Sequence, residues 1–436
     1  MIFSDSLNLV YSKKVSQTKL KELQEENSEL NDLIINERKD KNILPIPILP
    51  FPGYTRDGNV DSFLEGTAAR YMQKRCKQLQ EEGYTTTIGI PFEDNSYLDK
   101  AREQINSLQP EILLFVDHLD EIRFFVHGEE ERTWKKDKSG RQYMVMNDDL
   151  PLGIWQVHKA QGEVPEQKLQ TGQESPLYYE LIVAVPEGED FDELKTSPLF
   201  SHFPTNIRLP LPVVCHATLE LDQSRKHTQE CKSNTYVLEK LATFLAQVAE
   251  ERAELYQTGP NAGFRMLMGQ ETYSNDLERE GFSEKLLKAA AQRKIVPTLE
   301  GTVKIAEQAR MLSGACESWL PKSAFGNIVP VANKEEENFF RDLGVEELET
   351  EKLRQILLFI KDISIKQRAE LIVGLLDRKI SLDSHTSALL LNSDGQNIPE
   401  KSTVFNVPKS GKTPRLPEWV TLLFLNNDLR LVHHTI

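Results

Sequence analysis

Long hydrophobic runs are missing from this 436-residue chain, and no stretch approaches the ~18 to 20 apolar residues a membrane-spanning helix requires. Met1–Val10 has neither a basic stretch nor an apolar core of the kind that marks a secretory leader, so a cytoplasmic protein without a membrane partner is expected. Cysteine is scarce: Cys76, Cys215, Cys231 and Cys316 stand at wide, irregular spacing, which excludes a CxxC metal knuckle and a disulfide framework and leaves reduced, structural thiols. Positive charge is outweighed, with 52 Lys plus Arg against 67 Asp plus Glu and a net charge of −15, so no general basic face is offered to nucleic-acid phosphates. The local cluster Lys135-Lys136-Asp137-Lys138 reads as a solvated hairpin turn. No internal repeat and no GxSxG elbow occurs. Gly411-Lys412-Thr413 resembles the end of a phosphate-binding loop, but Asn406 stands where that loop needs glycine and Pro414 forbids the helix that must follow. His433 and His434 are adjacent rather than one helical turn apart, so no metal site is expected.

What remains is an ordinary globular composition, 39% apolar and 27% charged, long enough for about three domains of roughly 150 residues. Residues 16–40 carry Leu20, Leu23, Leu30, Leu33 and Ile34 at helical spacing and predict an exposed, one-sided helix, followed by a proline-rich extended connection over 44–58. A helix over 61–82 is closed by Gly83, a β-branched strand is predicted at Tyr84–Phe92, and a helix runs from Ser96 to before Pro110. Short apolar runs at Ile112–Val116, Ile122–Val126, Tyr143–Met146, Gly153–Lys159, Tyr178–Val185 and Val213–Leu221 predict a β region, with an exposed loop at Gly162–Ser175. Helical spacing returns over Asn234–Gln257 and again at about 283–293, 302–313, 350–361 and 365–379. The fold class is therefore α+β.

The chemically suggestive segment is His216-Ala-Thr-Leu-Glu-Leu-Asp222-Gln-Ser224-Arg225-Lys-His-Thr-Gln229, which leaves a strand, turns through polar residues and enters a helix. An arginine there can present planar, permanently charged donors to a phosphate oxygen, although an arginine in such a turn is more commonly a surface ion-pair partner. The run L-x-L-D-x-S-R-x-x-x-Q resembles the middle-domain catalytic loop of the ninety-kilodalton heat-shock chaperones, within the GHKL group of ATPases. The resemblance implies that Arg225 senses the γ-phosphate of ATP and that Ser224 and Gln229 occupy the matching catalytic positions. Asp222 stands where the chaperones have Asn. Gly83 to Phe92, with the helix to Leu108 and Pro110–Leu119 beyond it, resembles the end of the nucleotide domain of sacsin-like GHKL proteins and implies Thr86 as the residue near the adenine. Phe203-Pro204-Thr205 and Leu209–Pro212 resemble the approach to the sacsin-like loop.

The GHKL pocket itself is absent from the expected place. No D-x-G-x-G loop occurs, Asp394-Gly395 lacks the second glycine, and the E-x-x-x-N spacings at Glu230/Asn234 and Glu271/Asn275 lie beside or beyond the Arg225 loop and read as chance. The resemblance then implies a chain beginning inside an ATP-binding domain, with a GHKL remnant at 1–110, a β-rich transducer at 111–258 and a mainly helical portion at 259–436. It implies a transducer of a sacsin-like, chaperone-like machine, of a kind associated with bacterial antiviral defence, coupling ATP turnover to remodelling of a client protein. Whether the chain counts as an enzyme is left open: ATP and Mg²⁺ are cofactors only if a complementary nucleotide-domain half, in the same or another chain, supplies their pocket, and alone the chain is expected to be silent. The competing reading is a non-catalytic protein-interaction scaffold.

Overall fold

The computed structural model describes residues 2–4, 8–11, 52–55, 67–88, 95–126, 129–169, 176–188, 196–259, 261–269, 272–312, 320–360, 363–377, 389–391, 404–405 and 423–424. The expected helix at 16–40, most of the extended connection at 44–58, Gly411–Thr413, Asp394-Gly395 and the two C-terminal histidines lie outside them. The chain is a mixed α and β protein that divides into two compact units, Met1–Ser107 and Leu108–Ile436.

In the first unit, β1 (Ile2–Ser4), β2 (Asn8–Tyr11), β3 (Pro52–Thr55) and β4 (Thr86–Ile88) form a sheet of order β3-β2-β1-β4. Helix α1 (Thr67–Glu81) ends as its sequence dictates: Gly83 takes φ +100°, Gly83 N–H reaches Gln80 C=O at 3.0 Å and Tyr84 N–H reaches Leu79 C=O at 3.0 Å. This pair of bonds is a Schellman closure, satisfying carbonyls the helix leaves orphaned. Helix α2 (Asn95–Asn106) follows.

The second unit is built on a curled eight-stranded sheet. In chain order its strands are β5 (Glu121–Val126), β6 (Glu129–Ser139), β7 (Gln142–Asn147), β8 (Leu150–Val164), β9 (Leu177–Glu187), β10 (Ser197–Ser201), β11 (Phe203–Leu209) and β12 (Val214–Ala217). Their spatial order is β11-β10-β12-β9-β8-β7-β6-β5, all pairs antiparallel except β10 with β12. The run Leu181-Ile-Val-Ala-Val185 explains why β9 lies centrally: all five side chains are buried, which a strand covered on both faces requires. Leu181, Val183 and Val185 face helix α3 (Lys232–Leu255), whereas Ile182 and Ala184 face a strap formed by the 3₁₀ turn Pro110–Leu114 and Phe115.

Beyond α3, the helices α4 (Asn275–Arg279), α5 (Phe282–Ala291) and α6 (Lys334–Asp342) join the same core through Leu277, Phe282, Leu286 and Phe340. That core runs across the expected boundary at 258/259, so the sheet and these helices share one interior. Helices α7 (Thr350–Phe359) and α8 (Ile365–Asp377) close a second core around Phe325, Leu353, Leu357, Leu371 and Leu375. Gly263 makes the α3 packing feasible, since a Cβ there would lie 2.3 Å from Ala249 O.

Four local expectations are corrected. Ile112–Val116 is not a strand: Pro110 supplies a fixed φ at the start of the 3₁₀ turn, and the apolar run is buried without β pairing. Lys135–Lys138 is not a turn but lies inside β6, the reversal falling later at Gly140 with φ +62°. Gly162–Val164, expected in a loop, continues β8 in register with β9, and 170–175 lie outside the described residues. The predicted helix at 302–313 is replaced by short strands Val303–Lys304 and Arg310–Met311 around a 3₁₀ turn; Arg310 and Met311 pair with Glu346 and Glu347, a distant partner that local spacing does not reveal.

Candidate functional site

The chain leaves β12 and closes a small hairpin before entering α3. Gln229 N–H reaches Glu220 C=O at 2.9 Å, Leu221 bridges Thr228, and Asp222 N–H reaches His227 C=O at 2.9 Å. Inside this neck, Arg225 N–H returns to Asp222 C=O at 2.9 Å and Arg225 adopts φ +57°, the left-handed region that a residue with a side chain seldom enters. The turn thus lifts Arg225 to its tip, where the side chain is exposed, and its guanidinium makes no ion pair with another described residue.

Asp222 turns inward. Its carboxylate accepts the Ser224 hydroxyl at 2.8 Å, Lys226 N–H at 3.0 Å and His227 N–H at 3.4 Å, and the Ser224 bond foremost, with these two amides, holds its carboxyl below the ordinary range. This charge, at the position where the chaperone loop has Asn, is therefore used within the turn. Gln229 likewise donates its amide to Leu221 C=O at 2.8 Å. Of the three expected catalytic residues, all are brought into one hairpin, but Ser224 and Gln229 spend their polar groups on its frame and only Arg225 projects from it. Thr86 lies in the other unit, exposed on β4 and in register with Ser4 of β1.

The hairpin is anchored from two sides. Asn234, in the first turn of α3 and 1% exposed, accepts Glu220 N–H at 2.8 Å and donates to Glu220 C=O and Gln229 C=O, each at 2.8 Å. Asp276 of α4 accepts Thr228 N–H at 3.0 Å and the Thr228 hydroxyl at 3.1 Å and meets His227 Nδ1 at 3.1 Å. Burial alone would raise the Asp276 carboxyl, yet the bonds from His227 and Thr228 outweigh it and leave the group below its usual value. Arg279 completes this side, 3.1 Å from the Thr228 hydroxyl and 3.3 Å from Glu230. Asn206 N–H of β11 reaches Lys226 C=O at 3.0 Å, tying the hairpin to the sheet edge.

Sequence reasoning missed these anchors. Asn234 had one legible signal: it occupies the stripe continued by Val237, Leu238 and Leu241, where a polar residue must find buried partners. Asp276 and Arg279 had none, being about 50 residues away along the chain. Among the described residues no group of three or more His, Cys, Asp or Glu is placed to hold a metal ion, and no helix is long and apolar enough to cross a membrane. The chain matches no known protein-family model, no curated protein and no solved structure.

Proposed function

We propose that this chain is the transducer part of a sacsin-like, chaperone-like GHKL ATPase, in which Arg225 meets the γ-phosphate of a nucleotide held by a complementary half. The supporting observation is the posture of Arg225. A side chain on a left-handed backbone at the tip of a hairpin whose neck is anchored by Asn234 and Asp276, and without an ion-pair partner among the described residues, is a charge held out for something else. Strained positions of this kind persist where the surrounding frame over-determines them, and they concentrate at functional sites. A pre-positioned guanidinium acts on phosphoryl transfer by neutralising charge in the transition state, with no reorganisation at the moment of reaction. In this reading Ser224, Asp222 and Gln229 are positioning residues, Thr86 lies towards the adenine, and ATP with Mg²⁺ is bound only when the missing half is present.

The test is ATP hydrolysis by the assembly formed with that half. Arg225→Ala is expected to lower the rate at least about 100-fold, as loss of a transition-state donor does, with the circular dichroism spectrum unchanged. Arg225→Lys should recover little, because a point charge cannot reproduce the planar fork. An unchanged rate in Arg225→Ala overturns the reading. The scaffold alternative is favoured by one observation, that Ser224 and Gln229 are engaged within the hairpin; it predicts no nucleotide binding in any assembly.

A further inference from the structure

A second feature of the sheet does not depend on nucleotide. On β8 and β9, Gln161 pairs with Glu180 and Glu163 with Tyr178, so these four side chains share one sheet face. With Thr218 just past β12 they line an open cleft of about 690 Å³. Its frame is fixed. Thr218 Oγ1 accepts Glu180 N–H at 3.0 Å, and behind the cleft Tyr179 crosses Gly162 so closely that a Cβ there would lie 2.5 Å from the phenolic oxygen. The Tyr179 ring in turn stands 6.0 Å from Tyr236 of α3 in an edge-on contact.

The chemistry of the lining is one-sided. Among the described residues it carries two carboxylates and neither lysine nor arginine, and neither Glu163 nor Glu180 makes an ion pair with another described residue. Tyr178 is 65% exposed, its ring open to solvent rather than packed into a core. An exposed aromatic face beside carboxylates attracts a cation twice, through the ring quadrupole and through charge-assisted hydrogen bonds. Glu163 and Glu180 are diagonal neighbours across the β8–β9 pair, a separation of about 7 to 8 Å. Alternate residues of an extended chain lie about 6.5 to 7 Å apart and point the same way.

From this match we propose that the cleft docks an extended segment of a partner protein carrying lysine or arginine at alternate positions, one cation on Glu163 and the next on Glu180, with Tyr178 covering one of them. The test is calorimetric titration of the full chain with a short capped peptide bearing two lysines at i and i+2, against the same composition with lysines at i and i+3. The first should bind at least tenfold more tightly. Glu163→Gln/Glu180→Gln and, separately, Tyr178→Ala should each weaken it at least fivefold, whereas the charge-matched control Glu284→Gln/Glu307→Gln should leave it unchanged. Absence of binding, equal affinity for both peptides, or an equal loss in the control pair would overturn the proposal and assign any binding to the net negative charge alone. Arg225→Ala should bind the peptide like the parent chain, so failure here and failure of the ATPase reading are separable.

Discussion

The two faces of the eight-stranded sheet are built from the same strands, yet they are finished by different physics. Toward α3, Leu181, Val183, Val185, Cys215 and Ala217 meet Leu238, Leu241, Leu245 and Val248 in a broad apolar interior, and buried His158 of β8 meets Glu251 of α3 at 3.3 Å. There Cys215 is fully buried, and burial pushes its thiol far above the ordinary range, so it behaves as a small hydrophobe rather than a nucleophile. Toward the strap, Ile112, Leu113, Leu114 and Phe115 cover Trp155, Ile182, Phe200 and Val214, but the cover is fastened by charge. Lys136 Nζ donates to Val116 C=O at 2.8 Å, and Asp117 accepts Lys159 Nζ at 2.5 Å with Lys138 Nζ 3.8 Å away. The Lys159 bond foremost holds the Asp117 carboxyl below its usual value, while burial draws the Lys136 ammonium down. One face is sealed by a 24-residue helix that also contacts the helices beyond it, and the other by a short segment pinned at its end. The larger apolar contact makes the first face the expected main source of stability.

The sharpest way to break this comparison is a matched pair of truncations. Leu245→Ala, which opens the α3 interior, should cost about 4 to 5 kcal/mol, the upper end of measured leucine truncations, and lower the urea midpoint of the whole second unit. Leu114→Ala removes an equally buried leucine from the strap, yet it should cost less, about 2 to 3 kcal/mol, with faster amide exchange confined to 108–119. Equal costs with global loss of protection in both would show that the two faces are one cooperative interior.

A second contrast comes from pH. His216 is 0% exposed on the strap face, 5.8 Å from the Phe115 ring and 4.8 Å from that of His202. Its Nδ1 accepts His202 N–H at 3.1 Å, which places the imidazole proton on Nε2. Burial first, then the nearby His202 and Lys159, depress its pKa to about 3. The unfolded histidine titrates near 6.5, so below that pH the unfolded chain binds the proton and the folded chain does not. This contribution is fully present above about pH 6.5 and declines as pH falls towards 3. Urea midpoints measured between pH 7.5 and 5 should therefore fall in the parent chain and fall less in His216→Gln; the same slope in both would refute the assignment. Asp117 acts in a lower window, its contribution present above the ordinary carboxylate range and lost as pH falls through its depressed value.

The smallest effect separates strain from function at the hairpin. Arg225 sits at φ +57°, which Gly tolerates and Ala does not. Arg225→Gly should be more stable than Arg225→Ala by about 0.5 to 1 kcal/mol, the left-handed penalty less the extra freedom of unfolded glycine, as read from thermal midpoints. If the two variants match, the backbone at 225 relaxes once the arginine is gone.

How far these features could be read beforehand varied with how local their causes are. The unbroken apolar run at Leu181–Val185 announces a strand covered on both faces, the stripe through Val237, Leu238 and Leu241 announces α3, and Gly83 announces the end of α1. Each depends on neighbours within a turn or two. Ile112–Val116 and residues 302–313 were misread because a short apolar or mixed segment takes whichever form its distant partners accept, a sheet face for the strap and the strand Glu346–Glu347 for Arg310 and Met311. The polar, turn-forming run Asp222–Arg225 was legible as an exposed turn. That Asp222, Ser224 and Gln229 would be consumed by its frame was not, since nothing in residue type distinguishes a carboxylate facing a ligand from one capping backbone amides.

By itself, then, the amino-acid order determined the alternation of elements, the burial of β9 and α3, and the solvent-facing character of the Arg225 turn, because hydrophobic periodicity and backbone preference act over a few residues. Tertiary structure alone decided that Asn234 and Asp276 hold that turn shut, that Lys136, Lys138 and Lys159 converge on the strap, and that Glu163 and Glu180 share a cleft with Tyr178. These groups are brought together from separate strands and helices. Only strand register and helix packing, which are settled by the whole interior at once, fix the distances between them.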